Sequence, residues 1–298
     1  MKRGFFMCAL AACLFGISPV FSRRMSLSGM DAASIVCLVH TAVALANVLS
    51  WAASSGARKI RPSGRQAAQL LLVGALGMGS TTFLLAASYD YIPTGTATVL
   101  HFLYPSAVAL TDAALSRRRP KARVVLAMLL SVLGMALLAG ARARGAWPGI
   151  LLAAASAGTY TLYLCANQRA DYASLPGPIK MTFLAAGSSV LFLGKAVLSG
   201  GLTPPPDLPA WGSFWAMACC ACAAHRCLTA GVWRIGAEQA AFTTLIEPLV
   251  SLLAGVLVYQ EALSVYSLMG AGLVFFALLL HTHIELPRPE KTAGGKDL

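Results

Sequence analysis

Hydrophobic residues in this chain fall into ten long runs, near 4–22, 31–52, 67–89, 93–115, 122–140, 147–167, 178–199, 211–235, 237–258 and 263–283. Charges, prolines and glycine clusters separate them. A helix needs roughly 20 mainly apolar residues to cross the hydrocarbon of a bilayer. The pattern therefore predicts ten spanning helices, segments one to ten, with short connections. Two junctions, Ile92 to Thr94 and Ile235 to Glu238, are tight enough that a long broken helix would read the same way. The placement of charge decides between the two.

Composition strengthens the membrane reading. Of 298 residues, 57% are apolar and 11% charged, against about 25% charged in ordinary globular chains. Mean hydropathy is +0.70. No partition of the chain leaves enough polar residues to cover a soluble core, which argues against a soluble enzyme or a receptor with an external module. The expected fold is an all-α integral membrane protein.

A net charge of +12 would suggest nucleic acid as a partner of a soluble protein. Here it sets topology. With the N-terminus inside, Lys2, Arg3, Arg58, Lys59, Arg61, Arg65, the run Arg117 to Arg119, Lys121, Arg123, Arg169, Lys180, Arg234, Arg288, Lys291 and Lys296 collect on the cytoplasmic side. Only Arg23, Arg24, Arg142, Arg144 and Lys195 lie at the outer side. That bias follows the positive-inside rule with both termini cytoplasmic and no nucleic-acid partner. The first 24 residues have some features of a signal peptide but are expected to stay as a full span, because the apolar run before Cys13 is short for one. All eight cysteines fall inside segments, so no disulfide framework is expected. The cluster Cys219, Cys220, Cys222, His225 and Cys227 is read as small apolar packing rather than a metal site, and no metal or cofactor is expected.

Shifting the chain on itself by 143 residues aligns Pro105 with Pro248, Ala97 with Ala240 and Leu103 with Ile246, and superposes segment five on segment ten from Val124 on Ser267 to Leu137 on Leu280. Five helices is an odd number. The halves 1–143 and 144–284, followed by a tail 285–298, must then enter the membrane in opposite senses, a construction common among secondary transporters.

The runs Gly95 to Pro105 and Ala240 to Pro248, followed by Tyr259, Gln260, Glu261 and then Gly270, resemble the two EamA repeats of the drug/metabolite transporter superfamily. The resemblance covers essentially the whole chain. It implies a ten-helix carrier built as two inverted five-helix repeats, with a central cavity lined by helices 1, 3 and 4 and their mates 6, 8 and 9. The acidic residue the family carries after the ninth helix is present as Glu261, but its repeat mate is Arg118.

Charge at mid-depth costs about 2.5–3.5 kcal/mol on insertion scales, so it tends to face a partner or a wet cavity. Glu247 and Arg226 are the two clear cases. Glu247 shares a narrow polar face with Thr244 and Ser251, and the repeat sets Tyr104 opposite Glu247 and His101 opposite Thr244. Three roles compete for Glu247: proton carrier, exploiting a desolvated carboxyl; counter-ion to a cationic substrate; or structural partner of Arg226. Pro105 and Pro248 each lack a backbone donor and free a carbonyl one turn earlier. Tyr160, Tyr163 and Asn167 on segment six are candidate neutral contacts to substrate, as are Ser80, Thr81 and Thr82 on segment three. Gly74, Gly77 and Gly79 predict close helix packing. Asp112 is expected to partner the Arg117 to Arg119 run.

No nucleotide-binding loop is present, since the run from Gly187 to Lys195 has the wrong spacing and Ala196 follows the lysine. The leading expectation is a non-enzymatic secondary carrier of small organic metabolites or amphipathic compounds, with export and proton coupling as its finer details. Its surroundings are membrane lipids, and a homodimer is compatible with the sequence. Two rivals are a membrane-embedded enzyme acting on lipid or isoprenoid phosphates and a non-transporting assembly partner.

Overall fold

The computed structural model describes residues 2–115, 117, 119, 122, 125–126, 129–130, 133–134, 137, 146–235, 243–244, 246–261 and 264–282. Most of segment five, the Asp112 side chain, Arg118 and the tail 285–298 lie outside the described residues. Within them the chain is helical, with no strand.

Segment one is α1 (Lys2–Leu27) and segment two α2 (Ala32–Ala53). Segment three is α3 (Gly64–Val73), a π-helical stretch (Gly74–Gly79) and α4 (Ser80–Ser88). Segment four is α5 (Thr94–His101) and α6 (Tyr104–Leu115). Segments six to eight are α7 (Trp147–Arg169), α8 (Gly177–Leu198) and α9 (Leu208–Ile235), and segments nine and ten contain α10 (Ile246–Tyr259) and α11 (Val265–Thr282). Five of these, segments one, two, three, six and seven, are by length and composition able to cross a membrane. Their outer faces are apolar, with Phe6, Leu49, Leu72, Leu151 and Val190 exposed, and α10 likewise exposes Leu253 and Leu257, the surface expected of a protein solvated by lipid.

Helix starts are capped. Asp31 accepts from the Ala33 and Ser34 backbone at 2.9 and 3.0 Å and from the Ser34 and Thr203 hydroxyls. Burial alone would raise its carboxyl, but these hydrogen bonds outweigh it and hold the group below the ordinary aspartate value. Ser63 and Gln66 form a reciprocal capping box on α3. At the start of α5 the capping position is Pro93, which has no side-chain acceptor. Glu261, 167 residues away, takes that role by accepting from the Thr94 N–H at 2.9 Å and the Thr94 hydroxyl at 3.0 Å.

Inside the segments, hydroxyl groups bond back to carbonyls four residues earlier: Thr41 to Cys37, Thr82 to Met78, Thr161 to Ala157 and Thr182 to Pro178. Each of these four hydroxyls is thus satisfied without water. Segment four is not one continuous helix over 93–115. It breaks at Phe102 and Leu103, where Leu103 N–H turns to the Leu100 carbonyl. The cause is Pro105, whose missing N–H cannot bond the His101 carbonyl.

The two halves are interleaved. Segment one packs along eight and nine, while three and four pack along six. Segment two packs along seven and eight, and three along seven. Segment four meets nine through α5 and α10. Exchanging each segment with the one five places away maps this set of contacts onto itself. The tightest crossing joins segments three and seven: a Cβ at Gly74 would lie 2.0 Å from the Leu184 carbonyl oxygen, and one at Gly187 would lie 2.0 Å from that of Leu71. Gly77 and Gly79 sit against Tyr163 and Ser188, so the glycine face is a close-packing face.

Because the obstacle at each crossing is backbone, Gly74→Ala and Gly187→Ala are each expected to cost about 1–3 kcal/mol, seen as a lower unfolding temperature in detergent; unchanged melting would contradict the crossing. Glu261→Ala is expected to lose about 0.5–2 kcal/mol of cap stabilisation, with part regained in Glu261→Gln, which keeps an acceptor oxygen. Equal melting of all three proteins would show that the cap contributes nothing.

Candidate functional site

Where the segments meet around the broken helix they leave a cavity of about 160 Å³. An apolar cavity of comparable size holds one benzene-sized molecule. Segment one supplies Phe15, Ser18, Pro19 and Ser22, segment two Val39 and His40, and segment three Met78, Thr81, Thr82, Leu85 and Ala86, with Tyr89 at its end. Segment four supplies Thr98, His101 and Tyr104, segment six Tyr160 and Tyr163, segment eight Met217, Ala221 and His225, and segment nine Glu247.

Glu247 occupies the first turn of α10, just before Pro248. Its backbone is held close to α1, where a Cβ at Gly16 would lie 2.7 Å from the Glu247 carbonyl oxygen. Facing it are tyrosines: Tyr89, Tyr104 and Tyr160 are all within its electrostatic reach. Tyr104 and Tyr160 meet edge to face with ring centroids 4.7 Å apart, and Tyr160 stacks on Tyr163 at 5.5 Å. His101 adjoins both, 5.4 Å from Tyr104 and 5.1 Å from Tyr160. The result is an aromatic wall opposite one carboxyl group.

The histidines are tied across the halves. His101 Nδ1 lies 2.9 Å from Ser156 Oγ. Ser156 gives its hydroxyl hydrogen to the Ala153 carbonyl at 2.6 Å, so it accepts from His101, and in the neutral ring Nδ1 carries the hydrogen and Nε2 is the acceptor. His40 Nδ1 bonds Ser188. His225 meets Phe15 edge to face, ring centroids 5.0 Å apart.

Of the residues singled out in the sequence, Glu247, His101, Tyr104 and Tyr160 line this one cavity, although they come from segments nine, four and six. Thr244 and Ser251 are buried beside it and not among its lining. Thr244 hydrogen-bonds Tyr104, and Ser251 bonds Thr98 at 2.7 Å, so both position cavity residues. Asn167 bonds back to the Tyr163 carbonyl at 2.8 Å and does not reach the space. Pro105 and Pro248 flank the cavity residues Tyr104 and Glu247 in sequence, and the break expected at Pro105 is present.

Arg226 does not take the place expected for it as partner of Glu247. It is exposed and donates to Ser50 on α2. Successive helical residues are about 100° apart on the helix, so with His225 turned to the cavity the next side chain faces outward. The ion pair between them is not formed: among the described residues the ion pair found is Arg65 with Asp171 at 3.3 Å, on the surface. A wall from segment one was expected, whereas His40, Tyr89, Thr98 and the contribution of segment two were not anticipated. His40 carried the same signal as His101, a titratable ring inside an apolar run.

Among curated proteins, none matches the sequence. A solved structure, titled only as the crystal structure of a protein, is similar over 92% of this chain and 97% of its own, with a TM-score of 0.63 at 20% identity. That likeness concerns the fold alone. The sequence profile of the EamA-like transporter family matches twice, at residues 2–140 and at residues 147–282. With nearly the whole sequence taken up by these two repeats, the chain belongs to the EamA-like transporter family, part of the drug/metabolite transporter superfamily.

Proposed function

We propose that this membrane protein is a secondary carrier that moves small organic metabolites or amphipathic compounds across the cytoplasmic membrane by alternating access. Ten spanning helices form two inverted repeats, 1–143 and 144–284, with both termini and the tail 285–298 in the cytoplasm. The observation that carries the reading is the cavity itself. It is walled by segments of both halves and holds Glu247 in the second half where the first half has Tyr104. The contact pattern, unchanged when each segment is swapped with its repeat mate, supports two equivalent bundles that can rock about the shared space.

Segment four supplies a site for that movement. Its α5 half is held to segment nine through Glu261, whereas α6 follows a break at Phe102 and packs on α7. Bending at the break would change access to the cavity at one end while the other stays clasped. Export is the direction the family resemblance favours, and a proton carried on Glu247 would couple it to the membrane potential. One proton moving down about 100 mV supplies about 2.3 kcal/mol, enough for a modest gradient without an enzymatic step.

Proteoliposomes loaded with an isotope-labelled metabolite extract and diluted into unlabelled extract should exchange at least one compound about tenfold faster than protein-free vesicles, read by mass spectrometry. Exchange no faster than in the empty vesicles would remove the carrier reading in favour of an embedded enzyme or an assembly partner. For coupling, Glu247→Gln is expected to abolish the dependence of that exchange on a pH gradient; a gradient response equal to wild type would remove the proton role and leave the carrier intact.

A further inference from the structure

The cavity is lopsided in charge and in hydrogen bonding. Its described lining residues include one carboxylate, Glu247, and three histidines, His40, His101 and His225, but no lysine or arginine, although the chain as a whole is strongly basic. The cation nearest in sequence register, Arg226, is occupied with Ser50 outside it. A carboxylate in a low-dielectric space without a countercharge favours a ligand that brings one. An anion placed there would meet repulsion with no compensating cation.

A second acceptor stands in the same space. Because Ser156 takes the Nδ1 hydrogen, the neutral His101 ring keeps Nε2 as an acceptor, and this ring touches the same two tyrosines that face Glu247. Two acceptors call for a ligand with at least two N–H donors on a positive centre. The wall of Tyr104, Tyr160 and Tyr163 offers aromatic faces both to the cation and to an apolar body attached to it.

We propose that the cavity binds organic ammonium compounds, protonated primary or secondary amines, with Glu247 as counter-ion, His101 as the second acceptor and the carbon skeleton against the tyrosines. This deepens the carrier reading and rests on it for the idea that the bound amine is transported. Binding itself does not depend on transport, so the two can fail separately.

The test is calorimetric titration of the full-length protein in detergent at pH 7 with phenethylamine, its trimethylammonium derivative, the neutral phenethyl alcohol and the anion phenylacetate. Phenethylamine should bind saturably and at least tenfold more tightly than the alcohol and phenylacetate, and several-fold more tightly than the trimethylammonium compound, which has no N–H for His101. Glu247→Gln should weaken the amine about tenfold or more, and His101→Phe should bring it down to the level of the trimethylammonium compound. Alcohol or phenylacetate binding as tightly as phenethylamine overturns the proposal without recourse to any variant. So does failure of phenethylamine to bind a protein that still exchanges metabolites in vesicles, an outcome that leaves the carrier standing. Saturable amine binding with no exchange of any compound keeps the site and removes the carrier.

Discussion

Hydrocarbon offers no hydrogen bonds, so each polar group within a spanning segment must find its partner inside the protein. Threonine and serine hydroxyls meet this demand locally, by folding onto the carbonyl one turn back. The histidines meet it at a distance: His40 and His101 each reach a serine in the other half of the chain, Ser188 and Ser156. Around Glu247, the described residues that line the cavity include no lysine or arginine, and among the described residues it forms no ion pair. A carboxyl group can remain at that depth because it faces a space where water or a ligand can reach it. Cavity and carboxylate therefore account for one another.

Geometry follows from the same constraint. Two halves that entered the membrane in opposite senses would bring equivalent stretches of segments four and nine face to face, and it is there that Tyr104 and Glu247 meet. Close approach of the halves depends on residues without side chains, Gly74 and Gly187 at the crossing of segments three and seven and Gly16 beside the Glu247 backbone. Polar ties from α5 run to Ser251 on α10, through Thr98, and to Glu261 just after α10, through Thr94, both on the α5 side of the break. Segment four is thereby tied to the second half over its α5 part, ahead of the break at Phe102 and Leu103.

Much of this could be read from the sequence because membrane helices announce themselves through length and hydropathy alone, and because a gapless 143-residue shift exposes the repeat. Of the polar positions inside apolar runs, Glu247, His101, Tyr104 and Tyr160 share one cavity. Direction around the helix was harder to read. Arg226 sits at the expected depth yet turns away from Glu247 toward Ser50, since depth fixes the height of a side chain but one residue of offset rotates it by about 100°. His40 and the wall from segment two escaped notice because segment two matches the repeat in hydropathy more than in residue type. The clasp between Glu261 and Thr94 joins positions 167 apart, a pairing that no local pattern encodes.

The claim on which the rest stands is that the two halves lie in the membrane in opposite senses, so that their equivalent faces enclose the cavity. The direct measurement is site-directed labelling of intact cells, in a background without the native cysteines, using an impermeant thiol reagent on Ser116→Cys after segment four and Ser264→Cys after segment nine. The account predicts modification of position 264 from outside and of position 116 only after the cells are opened. Modification of both positions from the same side would contradict it.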